Sequence, residues 1–398
     1  MWGLLNKKIN LGYLINPFYI YCAGFFLAIF VYLWGWSKIF PELSASLIVF
    51  LTASFILFIV FGYLIGKRKL LLFHNRGIST YLNDFIFWLI ILLCFINVLY
   101  MGYLPIMDRS RNYREFGMPI IDPVFNSLSI FFSVFFFQSY LDSKKKRFLS
   151  YTVLILILQF LLFRRSSIVW IITSSFFIFL LKKQNIRLLI LIAGIICIPM
   201  FSYCFGLYGN ARSNLTKSIV LNELGASDVF KNSGIDHNHY MTYLYLSSPL
   251  ANLQENINKS KGCFNNGDIR DFLFYCLVPE SITLRLEKPL HLTGPVCNLI
   301  TPELIVGSFY MISFYTLGWF GMIIMLLFLS SLILLCLAII RKWDTFGLVT
   351  LSLLCTTVSL LIFSNFLNRL DVLLMLFFYP ILFDFLYTRS DPKVISEL

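Results

Sequence analysis

Arginine side chains in the connecting segments are the residues of this chain best suited to chemistry. A guanidinium group is planar and permanently charged, and it donates paired hydrogen bonds to phosphate or carboxylate oxygens. The charge pattern described below places nine arginines and six lysines on or near the outer face of a membrane, against six arginines and eleven lysines on the inner face. Because topology requires only positive charge, this bias toward arginine indicates anion binding. The nine are Arg109, Arg111, Arg114, Arg164, Arg165, Arg212, Arg270, Arg285 and Arg369.

Two positions among these place arginine close to the apolar phase. Arg164 and Arg165 are adjacent, in FRRSS between two unusually short apolar runs, and this spacing predicts that they lie at or below the level of the lipid headgroups. A charge at membrane depth costs about 2.5–3.5 kcal/mol and usually marks function, although snorkelling to lipid phosphates is the alternative. Arg369 stands near Asp371 in SNFLNRLD, where the two side chains can also simply pair.

The segment 102–122 holds three more of these arginines, Arg109, Arg111 and Arg114, alternating with acidic residues. One interpretation is a solvated loop with surface ion pairs, each worth about 0–1 kcal/mol. The other interpretation is a phosphate clamp at the membrane surface.

The longest connection, 207–301, contains the groups that could move a proton. It holds Asp236, His237 and His239 in IDHNHY, and it also contains Glu223. A positioned acid or base contributes about 10²–10⁴ to the rate of a group transfer, and histidine titrates near neutral pH. These four residues are therefore the catalytic candidates.

Other chemistries have weak sequence support. His237 and His239 lack a third ligand at a recognised spacing, so no metal site is predicted. No phosphate-binding loop, dinucleotide fingerprint or nucleophile elbow occurs, so we predict no cofactor. Cys204, Cys263 and Cys276 lie with Cys297 in or beside the long connection, where a disulfide is allowed but no pairing follows from the sequence.

The elements that must position these residues are membrane helices. Hydrophobic residues make up 59% of the chain and charged residues 13%, against about 45–50% and about 25% in soluble proteins. A net charge of +12 is explained by basic loops on one side of a membrane and does not require a nucleic-acid partner. Apolar runs long enough for about ten, and at most twelve, spanning helices fall at roughly 17–36, 45–66, 83–101, 123–141, 149–163, 166–181, 188–206, 316–340, 345–364 and 371–387.

The positive-inside rule orients these spans. Lysine clusters at 7–8, 67–69, 144–146 and 182–183 all fall on one side if both termini are cytoplasmic. We therefore predict an all-α polytopic membrane protein with helices 1–7 in residues 1–206, a large outer loop at 207–301 and helices 8–10 in residues 302–398.

The long outer loop is expected to be a folded, partly helical cap. Its apolar stretches are typical of amphipathic helices at the membrane interface, and structureless loops of this length are uncommon. Tyr240, Tyr243 and Tyr245 suit either stacking on sugar faces or anchoring at the interface. Tyr243 is the glycan-binding candidate among them.

These features resemble Wzy-type O-antigen polymerases, which join oligosaccharide repeat units. YLYLSSPLANL (243–253) is similar to a segment in the large periplasmic loop of that family, and FYTLGWFGMII (314–324) is similar to its glycine-bearing span after that loop. The resemblance covers nearly the whole chain in layout, through short and degenerate motifs. Arg212 is followed by Gly225 thirteen positions on, which departs from the arginine-x10-glycine pattern of some members.

The resemblance implies a GT-C-like glycosyltransferase of the bacterial inner membrane with a periplasmic active site. Donor and acceptor would be oligosaccharides linked to undecaprenyl diphosphate, and no metal or nucleotide sugar would be needed. The arginines would stabilise the diphosphate leaving group. Membrane lipids and the chain-length regulator, flippase and ligase of the same pathway would be partners.

Three alternatives remain open at this stage. An O-antigen ligase shares the layout and the donor. A flippase or transporter would place charges along a path through the spans and would lack the large outer loop. A membrane acyltransferase would show a stronger His/Asp constellation.

Overall fold

The structure of the protein is a computed structural model. The structure describes the backbone of residues 8–10, 15–66, 80–107, 116–183, 185–213, 217, 219–260, 269–292, 294–343 and 345–389. Side chains are described for the same residues except 8–10, 80, 185–195, 211–213 and 387–389.

The described chain is almost entirely helical. The α-helices are α1 Pro17–Tyr32, α2 Ala45–Gly66, α3 Thr80–Met101, α4 Ile121–Ser143, α5 Lys146–Leu161, α6 Arg165–Lys182, α7 Leu188–Ser213, α8 Asp228–Lys231, α9 His237–Lys259, α10 Ile269–Phe272, α11 Glu280–Leu286, α12 Met311–Ile340, α13 Gly347–Leu360, α14 Leu370–Leu373 and α15 Tyr379–Arg389. Wider π-helical turns occur at Ile219–Glu223, Leu273–Leu277 and Leu374–Phe378, and a 3₁₀ turn at Phe366–Asn368. Two three-residue strands, β1 Lys8–Asn10 and β2 Asn185–Arg187, pair antiparallel with Lys8 opposite Arg187.

The membrane character predicted from composition is confirmed in its coarse form. Each of the ten predicted apolar segments overlaps helical structure, the last of them across α14, the adjoining π-helical turn and α15. Within the described residues, five helices are long and apolar enough to cross a membrane, namely α2, α3 from Tyr81, α4, α6 and α12, and α1 and α13 are shorter apolar helices. The chain is a polytopic helical membrane protein.

The chain divides into two compact units that interleave along the sequence. Unit 1 comprises residues 1–67, 184–331 and 358–368, and unit 2 comprises residues 68–183, 332–357 and 369–398. The sequence division at 206 and 301 followed chain order, whereas this division follows packing. Of the first six predicted spans, the first two therefore belong to unit 1 and the next four to unit 2.

In unit 1, helix α9 lies against α7 through small and polar side chains. A Cβ at Gly206 would meet the main-chain oxygen of Asn238 at 1.8 Å, so only glycine permits this approach. Asn210 donates to the side-chain oxygen of Asn238 over 2.8 Å, and the hydroxyl of Thr242 donates to the carbonyl of Ser202 over 2.7 Å. The expected helices of the long connection are present, and the central one is 23 residues long, not short.

The later part of α9 contacts the segment that follows α11. Asn252 donates to the carbonyls of Leu304 and Val306 over 2.6 and 2.8 Å. One turn on, Asn256 donates to the carbonyl of Asn298 over 2.8 Å and accepts from its N–H over 2.9 Å. Both asparagines are buried. Their amides therefore satisfy backbone groups of a segment without regular structure, as buried polar groups require.

A glycine kink divides α12. Gly318 has φ 59° and ψ −143° inside the helix, a conformation that favours glycine. Close by, a Cβ at Gly321 would meet the carbonyl oxygen of Ser313 at 2.2 Å. These are the two glycines of the motif at 314–324, and the structure gives them a shared role in this bend.

Unit 2 packs around the phenylalanine-rich face of α4. Phe131, Phe132 and Phe135 are fully buried. The ring of Phe132 lies 4.7 Å from that of Phe383, and the ring of Phe135 lies 4.7 Å from that of Phe346. Aromatic pairs at this separation stabilise a core beyond the area that they bury. This core fixes α4 against α15 and the turn before α13.

Candidate functional site

One end of unit 2 brings together two arginines and two aspartates. Arg164, in the turn between α5 and α6, forms an ion pair with Asp122 in the first turn of α4. Arg369, just before α14, forms a bidentate pair with Asp371: its Nε and Nη2 donate to the two carboxylate oxygens over 3.1 and 2.7 Å. Paired, parallel hydrogen bonds are the strongest mode of guanidinium binding.

An asparagine of α4 links the Arg369–Asp371 ion pair to α6. The side-chain amide of Asn126 donates to Oδ2 of Asp371 over 3.2 Å, and its oxygen accepts from the hydroxyl of Ser167 over 2.6 Å. Asn126 lies four residues after Asp122 in α4, so both side chains are on one face of that helix. We call Asp122, Asn126, Arg164, Arg369 and Asp371 the Arg–Asp cluster.

The position of Asp122 depends on the turn that precedes α4. Gly117 has φ 122°, and a Cβ there would come within 2.5 Å of the Asp122 carboxylate. The following residue, Met118, donates its N–H to the side-chain oxygen of Asn97 in α3 over 2.9 Å. Glycine thus leaves room for the carboxylate, and Asn97 anchors the turn.

The position of Arg164 depends on the sharp turn after α5. Phe163 has φ 55°, an uncommon conformation for a residue with a side chain. The Arg164 N–H donates to the carbonyl of Gln159 over 3.0 Å. The guanidinium carbon lies 5.4 Å from the ring centre of Phe125, within cation–π range. Backbone and ring contacts therefore direct this side chain toward α4.

The Arg–Asp cluster is partly shielded from solvent. Side-chain exposure is 15% for Arg164 and 24% for Asp122, and 37% for Arg369 and 10% for Asp371. Removing either partner from a shielded pair leaves an uncompensated charge, which is costly. Two guanidinium groups and two carboxylates balance within the cluster, and Arg165 begins α6 directly beside it. An anion that binds these guanidinium groups would have to replace the carboxylates that are now paired with them.

A second charged group lies at the opposite end of unit 2. Arg147 pairs with Asp84 over 2.8 Å, and Lys182 pairs with Asp142 near the end of α4. Asp122 and Asp142 lie twenty residues apart on this helix, which corresponds to about 30 Å. The lysine-rich and arginine-rich groups that the sequence distinguished are thus separated along α4.

Two of the other predicted anion-binding arginines, Arg270 and Arg285, lie in unit 1, and several are not described. Arg109, Arg111 and Arg114 fall outside the described residues, and so does the side chain of Arg212 at the end of α7. In unit 1, Arg270 is exposed and donates to the carbonyl of Leu290 over 3.0 Å. Arg285 is exposed in the last turn of α11.

Three of the four predicted proton-transfer residues make local contacts at the start of α9. Asp236 caps α9, accepting from the N–H of Asn238 over 2.8 Å, and this hydrogen bond lowers the pKa of the carboxyl. Nδ1 of His239 lies 3.0 Å from the hydroxyl of Ser202 in α7. His237 approaches Asp236 at 3.4 Å, whereas Glu223 is exposed at the end of a π-helical turn. Their catalytic roles stay predictions.

The glycan-stacking role predicted for Tyr243 does not agree with its position. Its side chain is 2% exposed, and its ring stacks on Phe40 and Tyr240 at 5.8 and 5.7 Å. Trp36 lies 5.4 Å away. Tyr243 is a core residue here, because α9 buries this face against the segment after α1.

Metal and disulfide chemistry have little support in the described part of the chain. Within it, no three His, Cys, Asp or Glu side chains come together as a metal site would require. Cys204, Cys276 and Cys297 are free thiols, and Cys263 lies outside the described residues. Burial raises the pKa of the Cys297 thiol to about 12, which makes it a poor nucleophile.

The polar residues that complete the cluster were missed in the sequence. Asn126 and Ser167 sit inside apolar runs, and Asn97 is fully buried in α3. An isolated amide in an otherwise apolar span is the signal that could have found them, because polar groups within a membrane are expensive.

Comparisons of the chain with protein-family models, curated proteins and solved structures find no match.

Proposed function

We propose that the chain is a membrane-embedded glycosyltransferase that joins oligosaccharide repeat units carried on undecaprenyl diphosphate, as Wzy-type O-antigen polymerases do. The observation that carries the proposal is the meeting of Arg164 and Arg369 in one cluster at the ends of apolar helices. The cluster would face the periplasm and both termini the cytoplasm of a bacterial inner membrane, with the helices in a GT-C-like arrangement.

The chemistry of a lipid-linked donor explains why guanidinium groups would be needed at the level of the lipid headgroups. The diphosphate of such a donor lies at the headgroup level, next to a hydrocarbon tail. During transfer, the bond between the anomeric carbon and the diphosphate oxygen breaks, and a bond to the acceptor hydroxyl oxygen forms. Arg164 and Arg369 would stabilise the negative charge that develops on the leaving diphosphate, as preorganised donors do. Undecaprenyl diphosphate then leaves.

The proton of the acceptor hydroxyl needs a destination. The residues proposed for this from sequence are Asp236, His237, His239 and Glu223, whose part in the reaction stays a prediction. The carboxylates of the Arg–Asp cluster are further acceptors. The reaction needs neither a metal nor a nucleotide sugar, because the diphosphate already activates the donor.

Arginine substitutions test the proposal directly. Arg164→Ala and Arg369→Ala should each lower polymer formation by about 10²–10³, the usual effect of removing one such donor. Arg147→Ala is the matched control, because Arg147 also pairs with an aspartate in unit 2 but lies at the lysine-rich end. Polymer length is read from glycan ladders at equal amounts of protein in the membrane. Normal ladders in both cluster variants would contradict the proposal.

A deletion strain separates the related activities. Loss of a polymerase leaves lipid A–core carrying a single repeat unit. Loss of a ligase leaves bare core, with polymer retained on undecaprenyl diphosphate. Loss of a flippase leaves bare core without polymer. The first pattern is expected, together with a functional dependence on the chain-length regulator, flippase and ligase of the same pathway.

A further inference from the structure

We propose that Asp122 and Asp371 are built-in competitors for the phosphate groups of the ligand, so that diphosphate binds by replacing two carboxylates at the same guanidinium atoms. This inference deepens the proposed function and rests on it. In this inference, the two carboxylates set how tightly the site binds diphosphate, in addition to any role in orienting the arginines.

The ion pairs occupy the donor atoms that a phosphate would use. Nε and Nη2 of Arg369 both donate to Asp371, and this fork is the edge that binds two phosphate oxygens. Nη2 of Arg164 donates to Oδ1 of Asp122. A phosphate that makes the same bonds must therefore displace the carboxylate.

The number and linkage of the pairs suit a diphosphate. Each of the two ion pairs offers one guanidinium group, and the Asn126 amide links α4 to Asp371. A diphosphate likewise presents two adjacent anionic groups on one ligand. A single phosphate would replace only one of the two carboxylates.

Competition of this kind is useful in a transferase of this class. The donor and the departing carrier both contain a diphosphate, so a site that binds this group too tightly retains its product. A carboxylate that returns to each guanidinium favours release. It also keeps shielded arginines compensated, as charges in a low-dielectric site require.

The experiment measures inorganic pyrophosphate binding to the purified full-length chain in lipid nanodiscs by titration calorimetry. Asp122→Asn and Asp371→Asn remove the negative charge but keep an oxygen that can accept from arginine. Each variant should bind pyrophosphate about tenfold more tightly than the parent chain, a change of about 1.4 kcal/mol. Inorganic phosphate should gain less than pyrophosphate does.

Asp142→Asn is the matched control. It carries the same substitution in an aspartate of the same helix that pairs with Lys182, outside the cluster, and its pyrophosphate affinity should equal that of the parent. The two cluster variants probe separate ion pairs, so either one decides if the other fails to yield monodisperse protein.

Unchanged or weaker pyrophosphate binding in the cluster variants overturns the inference, because weaker binding means that the carboxylates only orient the arginines. An equal gain for phosphate also overturns it, since the site then takes a single phosphate, such as a lipid headgroup. Failure of the proposed function is seen in a different measurement. If the proposed function is wrong, Arg164→Ala leaves the glycan ladder normal, whatever pyrophosphate affinity the calorimetry gives.

Discussion

Asn126 donates a hydrogen bond to Asp371 over 3.2 Å, although 245 residues separate them in the chain. The same amide accepts from Ser167 in α6. A single side chain in the first half of α4 thus ties α6 to the start of α14. Arg164 and Arg369 directly precede the two helices that Asn126 joins, so the geometry of the two guanidinium groups depends on a residue that carries no charge.

Replacing Asn126 should therefore affect both stability and activity. Asn126→Ala removes the acceptor of the buried Ser167 hydroxyl, and a buried group left unsatisfied costs about 1–3 kcal/mol. Asp371 loses one donor but keeps its bonds from Arg369. Asn126→Asp should be worse, because it places a second negative charge beside Asp371. Thermal unfolding of the purified chain should rank the parent above Ala and Ala above Asp. If Asp equals or exceeds Ala in stability, the amide does not donate to Asp371.

Gly117→Ala should disturb the cluster although it replaces none of its members. Gly117 combines φ 122° with a Cβ position that overlaps the Asp122 carboxylate, and a strained backbone position costs about 1–3 kcal/mol. We expect a shortened glycan ladder, because Asp122 and its partner Arg164 must move. Gly102→Ala is the control, since Gly102 also has positive φ but no neighbour within 4 Å.

The two glycine variants separate crowding from backbone strain. If Gly102→Ala shortens the ladder as much as Gly117→Ala does, strain alone explains the effect, and the contact with Asp122 is not the cause.

Helix positions were predictable from the sequence, because apolar runs of about 20 residues must satisfy their backbone groups as helices in lipid. FRRSS correctly predicted a break between two helices at Arg164, and SNFLNRLD allowed the observed pair of Arg369 and Asp371. The partners of Arg164 were not predictable. Asp122 reaches it through tertiary packing, and hydropathy contains no information on which helix faces meet.

The positions of the tyrosines and histidines were less predictable for a related reason. Tyr243 belongs to a helix that is buried or half-buried along almost all of its length, and the sequence alone does not show which elements cover it. His239 faces Ser202 only because Gly206 lets α7 approach α9. Contacts between residues far apart in the chain therefore determine the positions of both side chains.

Gly206→Ala should weaken the contact between α7 and α9. Its Cβ would overlap the main-chain oxygen of Asn238, and extra volume in a well-packed site costs about 1–3 kcal/mol. Unfolding of the purified chain should begin at lower temperature. Gly66→Ala, with no neighbour within 4 Å of its Cβ position, should leave unfolding unchanged. Equal unfolding temperatures for the two variants would contradict the close approach of these helices.

Substitutions at Asp236 distinguish a helix cap from a proton acceptor. Asn caps as well as Asp, whereas Ala at such a position costs about 0.5–2 kcal/mol. If Asp236 is only a cap, Asp236→Asn keeps normal polymer and normal stability at neutral pH, and Asp236→Ala loses stability. If Asp236 accepts the proton, Asp236→Asn abolishes polymer while the fold stays intact. The glycan ladder and thermal unfolding, measured on the same preparations, separate the two roles.

The pH dependence of unfolding tests the cap further. The hydrogen bond from the Asn238 N–H lowers the pKa of Asp236 in the folded chain, below the value of about 3.9 for an unfolded aspartate. Its contribution is therefore fully present above that value and is lost as pH falls through the folded pKa. Below pH 4 the parent should lose stability that Asp236→Asn, which cannot be protonated in this range, retains. Parallel losses in both chains would show that the carboxylate of Asp236 does not hold the start of α9.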